Sequence, residues 1–450
     1  MTISTGSGGR SPEGQQTPPS EVRILPRITK RLGQVTSREL DLILFAVLLF
    51  FVVFYELQNL WGFISAFKVR EVLYLYLMVR ILTAYRLQVN LGVILLFLFF
   101  LYASFVALHT WLGYGSEFAI RGFLRWVSTA LIAPIALVLF RDMEAARKVL
   151  YFWVALVALG AMAGPYQCLG GQLDWLVRGY VSLRGGVIRF KTLLGEPNVG
   201  GMAGVMMLGI GLMGIRSAIA ASVVVAFALL MMVFSVSKAA LAGSIIVAAL
   251  SLWHSDVSIK KTVQILAIGA SLIGVVIVMI PDLGRCLFTR LDVSVRSFFG
   301  AAEGNAVDDV YDRVVRMTME GIDVLQRESE SPVLALLLGG SFAIAGSAAV
   351  EVGRRQAILP HNSFSEVFLV GGALYLLIFV GLLAVAYVRL SKYHRSDIGK
   401  AARCAFICSV LFAMTYPVIY APALGALFWL IVGVSLGDAM NGKSGIADRV

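Results

Sequence analysis

The sequence predicts an all-α protein, a polytopic transmembrane helix bundle of about 12 spans with a large, partly helical outer loop. Three observations predict it. Of 450 residues, 59% are hydrophobic and 14% charged, against roughly 25% charged in an ordinary soluble domain. The mean hydropathy is +0.84. The apolar residues run in long stretches, not in the alternating ~10-residue strands of a membrane barrel. A soluble enzyme of this size has nowhere to hide that surface, and disorder is excluded beyond the first few dozen residues.

A helix needs roughly 20 apolar residues to cross the hydrocarbon. That length sets spans near 41–57, 66–84, 90–109, 122–140, 148–165, 198–215, 217–235, 238–254, 262–281, 364–389, 402–418 and 421–437. The second is the weakest, interrupted by Arg70, Glu71 and Arg80. Arg80 inside a span is costly unless it is paired or faces a cavity. Ahead of the spans, residues 1–40 read as a disordered basic tail, with no apolar core of a secretory signal. That tail carries Arg10, Arg23, Arg27, Lys30, Arg31 and Arg38, which puts it in the cytoplasm. An even number of spans then leaves both termini inside, including a tail at 438–450. The connections at 141–147, Arg216, 255–261 and 390–401 fall inside as well, and all are basic. The net charge of +11 therefore speaks of membrane sidedness before it speaks of nucleic acid.

Spans one to nine occupy 41–281 and the last three 364–437. Two long connections fall outside, at 166–197 and 282–363. The first carries Arg178, Arg184, Arg189 and Lys191 on the side that the charge rule disfavours. Such a cluster suits an anionic ligand; the alternative is four solvated side chains facing headgroups. The same loop ends in Glu196-Pro197-Asn198 before a glycine-rich span. Pro197 forces an extended residue ahead of it, and Asn198 is expected to cap the helix. Its free N–H groups would then face the outer surface. The glycines between 200 and 214 suit close helix packing.

The second loop contains an amphipathic helix around 306–327. Arg313 and Arg316 share one face of it, three residues apart, so both are able to grip one phosphate-bearing group. Against that, Asp309–Arg313, Asp312–Arg316 and Arg316–Glu320 are ordinary i, i+4 surface pairs. The loop closes on Pro360-His361-Asn362-Ser363. Of four histidines, His361 alone sits between a basic loop and the start of a span, where an imidazole can take a proton near neutral pH. The plain alternative is an interfacial helix-cap histidine. None of the four cysteines forms a CxxC pair, so neither a zinc nor a redox site is expected. Cys168 and Cys286 both fall outside, where they are able to pair. Cys404 and Cys408 read as packed thiols. No internal repeat is visible, and no inverted pair of broken helices of the transporter kind.

Several of these residues stand in a familiar order. Arg189 is followed eight positions later by Pro197-Asn198, then come Ser237-Lys238-Ala-Ala and His361-Asn-Ser-Phe-Ser-Glu366 with Gly371-Gly372 beyond. Over roughly 180–390 the chain resembles the O-antigen ligase and O-antigen polymerase superfamily of integral membrane glycosyltransferases. The resemblance implies an enzyme of the bacterial inner membrane with periplasmic outer loops. Such an enzyme passes an oligosaccharide from an undecaprenyl-diphosphate carrier to a hydroxyl acceptor, with no cofactor or metal. It implies His361 as the base that activates the acceptor. It implies Arg189, Arg184, Lys238 and either Arg313 or Arg316 as ligands of the donor diphosphate, with Pro197, Asn198 and Asn362 shaping the site. Lys238 stands where the family usually has arginine, and a lysine cannot make the same bidentate grip. Expected partners are the lipid-linked oligosaccharide, a glycan or lipid acceptor, the bilayer and other polysaccharide-assembly proteins, but no nucleic acid. The leading expectation is a polymerase of exopolysaccharide or O-antigen repeats. A ligase to lipid A-core is the alternative, and a transporter of lipid-linked sugars is an alternative of another class.

Overall fold

The computed structural model describes residues 37–55, 69–85, 89–140, 142–173, 183–184, 187–253, 259–299, 311–327, 329, 331–343, 362–393 and 396–437. The helices are α1 (Ser37–Val53), α2 (Val69–Ala84), α3 (Leu91–Tyr114), α4 (Ser116–Ala130), α5 (Ile132–Leu139), α6 (Met143–Ala161) and α7 (Ala163–Cys168). After a two-residue ladder, β1 (Leu183–Arg184) against β2 (Val187–Ile188), come α8 (Pro197–Gly214), α9 (Ala218–Ser235), α10 (Lys238–Trp253), α11 (Ile259–Met279) and α12 (Pro281–Phe298). A π-helical turn at Asp312–Arg316 leads into α13 (Met317–Arg327), followed by α14 (Pro332–Leu338), α15 (Ser363–Ser391), α16 (Asp397–Ala413) and α17 (Pro422–Leu436).

Each of the twelve apolar stretches is helical over most of its described residues. Among the described residues, seven helical stretches are long and apolar enough to cross a membrane: α3, α4 with α5, α6 with α7, α8, α9, α11 and α15. The apolar helices α10 and α17 are shorter. The chain is thus an all-α protein with apolar helices of membrane-crossing length. α3 and α11 sit at the perimeter and turn large apolar side chains outward, such as Phe97, Leu101, Val263 and Val278. Contiguous apolar surface of that kind needs lipid or a partner.

Local sequence explains the interruptions. Pro134 and Pro165 each lie three residues past the breaks at Leu131 and Met162. A proline has no N–H to give and crowds the carbonyl four residues earlier. At the centre stands α8, buried along its whole length and packed on α9, α16, α10 and α6. Its glycines allow this, as expected: Gly204 faces the carbonyl of Ala228, Gly209 faces Cys404 and Gly214 faces Ala401.

α15 is interrupted at Gly372, where φ is 71° and ψ −172°. The carbonyls released there do not stay orphaned. Gly340 N–H donates to Leu369 O at 2.9 Å and Ser341 N–H to Val370 O at 3.2 Å. The segment after α14 therefore plugs the break, and a side chain on Gly339 or Gly372 would strike the opposing backbone.

One end of the bundle is tied by Arg38–Asp142 at 3.0 Å, Arg216–Asp397 at 2.9 Å and Asn90 donating to Leu436 O at 3.3 Å. Near that end Arg80 is paired, as a span arginine must be. It meets Asp41 through both Nε and Nη2, at 3.3 and 3.1 Å, and Tyr85 donates to the same carboxylate at 2.8 Å. The opposite end carries a disulfide between Cys168 and Cys286, 118 residues apart in sequence. Cys404 and Cys408 are buried free thiols.

Candidate anion site at the disulfide end

The site is built on the turn between α9 and α10. Val236 adopts a left-handed conformation (φ 47°, ψ 48°), unusual for a β-branched residue. Ser237 then caps α10 by accepting from Ala240 N–H at 3.4 Å. The last carbonyls of a helix have no partner within it. Here two of them are taken by arginines from elsewhere in the chain. Arg189 Nε donates to Ser235 O at 2.9 Å, and Arg290 Nη1 to Phe234 O at 3.3 Å. Two cations at a helix C-terminus also complement its dipole.

Arg189 further donates from Nη2 to Asn198 Oδ1 at 2.6 Å, and the Ser237 hydroxyl reaches the same oxygen at 3.5 Å. Arg290, on α12, donates from Nη2 to Ile188 O at 2.7 Å and stacks over the Phe190 ring, 3.2 Å from its centroid. Arg290 therefore grips the strand that carries Arg189, and both arginines bond the end of α9. Burial pulls the Arg290 guanidinium down to about 10, which leaves it charged at neutral pH. Arg189, Lys191, Lys238 and Arg290 are all buried, each 7% exposed or less. The strand is pinned again where Gln167 donates to Lys191 O at 2.6 Å. A tight turn then joins Thr192 and Gly195, bonded in both directions at 3.2 and 3.0 Å, and needs glycine because Gly195 has φ 98°.

The cap of α8 differs from the expectation. Glu196 is the N-cap, Pro197 the first helical residue and Asn198 the second. The fixed φ of proline suits the first position and moves the cap one residue back. Asn198, released from capping, turns its oxygen to Arg189 and Ser237. Glu196 is extended (φ −59°, ψ 146°), as a residue before proline should be.

Asn362 caps α15, accepting from Ser365 N–H at 2.7 Å. Its neighbour Ser363 donates to Tyr416 O at 3.2 Å and accepts from Ile419 N–H at 3.4 Å. The Tyr416 hydroxyl in turn donates to Glu196 Oε2 at 3.1 Å. One continuous chain of contacts thus links Asn362 and Ser363 to the Glu196-Pro197-Asn198 corner and so to Arg189. His361 itself lies outside the described residues, as do the side chains of Arg184 and Arg313. Arg316 is half exposed and lies between Asp312 at 3.4 Å and Glu320 at 3.9 Å, the arrangement of a surface pair. The amphipathic helix around 306–327 is described from 311 onward. It leans on α15 through a hydroxyl contact of Thr318 with Ser365 and through Gly321 against Leu369.

Sequence reasoning missed Arg290, Tyr416 and the environment of Glu366. Arg290 is one of several charges on α12, and the sequence alone does not single it out. Glu366 is 1% exposed and lies among Tyr420, Trp126 and Arg125, without a hydrogen bond of ordinary geometry from any of them. Among the described residues no three His, Cys, Asp or Glu side chains gather closely enough to hold a metal ion. No protein-family model matches the chain, and no curated protein does.

Proposed function

We propose that this protein is an integral membrane glycosyltransferase of the inner membrane. It transfers an oligosaccharide from an undecaprenyl-diphosphate carrier to a sugar hydroxyl, and polymerises exopolysaccharide or O-antigen repeats. One observation supports this reading above the others. Buried cations gather at the disulfide end, and the residue after His361 is tied to the same corner through Ser363, Tyr416 and Glu196.

The chemistry needs few parts. His361 takes the proton of the acceptor hydroxyl, and the freed oxygen attacks the anomeric carbon. The bond from that carbon to the diphosphate breaks, and the lipid diphosphate leaves with the electron pair. Arg189 stabilises the leaving charge, with Lys238, Arg184 and either Arg313 or Arg316 as further ligands. Arg290 acts from behind by fixing the strand that carries Arg189. Direct displacement with inversion at the anomeric carbon is what the family resemblance implies. The disulfide suits an oxidising, extracytoplasmic compartment, so the basic tails belong in the cytoplasm. The broken helix gives a transporter reading little help, because backbone fills the break where a transporter would line a cavity.

The test is the surface glycan of a deletion strain complemented with point variants. Loss of polymer with single repeats still attached identifies a polymerase. Free lipid-linked polymer that is never attached identifies a ligase. His361→Ala should insert normally and transfer nothing; normal glycan from that variant would overturn the reading.

A further inference from the structure

The helix α12 has three faces, and among the described residues only one of them meets the protein. Leu283, Leu287, Arg290, Val293, Ser294 and Ser297 are buried against the bundle. Phe288, Leu291, Val295 and Phe299 are 63%, 42%, 41% and 77% exposed. At about 100° per residue these four fall within one arc roughly 80° wide. Beside that arc lies a second exposed one, of Arg285, Thr289, Asp292 and Arg296. Its charges are neutralised along the helix, Arg285 by Asp282 at 2.5 Å and Arg296 by Asp292 at 2.9 Å.

A helix with protein on one side, bare aromatic and aliphatic groups on the next and polar groups on the third fits a boundary between oil and water. Its position agrees. α12 starts two residues after α11 ends, and the last residues of α11 and the joint, Val278, Met279 and Ile280, are themselves apolar and exposed. The bare arc is therefore continuous with the outward surface of a helix of membrane-crossing length. The disulfide at Cys286 and the Arg290 contacts with Ile188 O and Phe234 O hold the helix in this orientation.

We infer that α12 is an interfacial helix, seated in the outer leaflet with Phe288, Leu291, Val295 and Phe299 among the acyl chains. Because its exposed charges cancel, the attachment is apolar and does not depend on anionic headgroups. The inference stands apart from the proposed enzymatic activity. It also fixes the depth of Arg189, since the buried side of the same helix grips that strand.

The experiment is photo-crosslinking of the full chain in phosphatidylcholine nanodiscs, with p-benzoylphenylalanine at Phe288, Phe299 or Thr289. Phe288 and Phe299 should give phospholipid adducts at least about tenfold more often than Thr289, with or without added anionic lipid. Adducts to the chain itself or to a second copy, or equal yields at all three positions, would overturn the inference. The unmodified protein gives an independent reading by hydroxyl-radical labelling in the same discs. Phe288 and Phe299 should escape oxidation; strong labelling of both would place the arc in water and end the proposal.

Discussion

Arginines at opposite ends of the bundle are satisfied in opposite ways. Arg80 meets the carboxylate of Asp41, itself 0% exposed, in a pair with no net charge. Arg290 meets two backbone carbonyls and an aromatic face, and among the described residues its contacts include no carboxylate. Arg189 bonds a carbonyl and an amide oxygen among its contacts. Carbonyl oxygens satisfy the N–H geometry but cancel none of the charge. The first arrangement is a closed structural joint. The second meets the charge of Arg290 with carbonyl dipoles, one at a helix C-terminus, and not with a full negative charge.

The largest expected effect tests that contrast directly. Arg189→Ala should lower transfer from a lipid-diphosphate donor by about 100-fold or more, in keeping with the loss of one charge-stabilising donor. Arg80→Ala should leave turnover per correctly inserted molecule unchanged. Equal losses in the two variants would erase the distinction. Arg189→Lys should recover little, because an ammonium cannot bridge Ser235 O and Asn198 as a planar guanidinium does.

Next comes Arg290→Met, which fills the volume but leaves the carbonyls of Ile188 and Phe234 without donors. Each buried group left unsatisfied costs about 1–3 kcal/mol. Thermal unfolding should register that loss, and donor KM should rise more than kcat falls. A fall in kcat alone would make Arg290 a ligand of the reacting group and not a support for Arg189.

The smallest effect on activity belongs to the neutral joint. Asp41→Leu alone strands Arg80 and should lower the unfolding temperature. Adding Arg80→Met should restore most of it, because an apolar pair can replace a buried ion pair. A double variant no more stable than the single one would mean that the pair does more than hold α1 to α2.

These contrasts explain what was legible in the sequence. Apolar run length located the helices, and the wrong-sided basic cluster with Pro197-Asn198 pointed to Arg189 and its corner. Cys168 and Cys286 were placed on one side by counting spans, and they pair. Arg290 was hidden because its helix carries charges on two faces, and only packing reveals which one is buried. Asp41 escaped because it stands at the edge of the first apolar stretch, and nothing in the sequence shows that Arg80 meets it. The cap moved from Asn198 to Glu196 because proline prefers the first helical position, a one-residue matter of geometry. Gly371-Gly372 read as part of a motif, whereas the break at Gly372 depends on Gly340 and Ser341, some thirty residues upstream.

That distant plug has a mechanical consequence. The first half of α15, which begins next to His361, is riveted by two backbone bonds to the segment following α14. It cannot slide or rotate by itself without baring two carbonyls inside the bundle. Any push on α14 from outside is therefore delivered to the front of α15, and the two travel as a single lever.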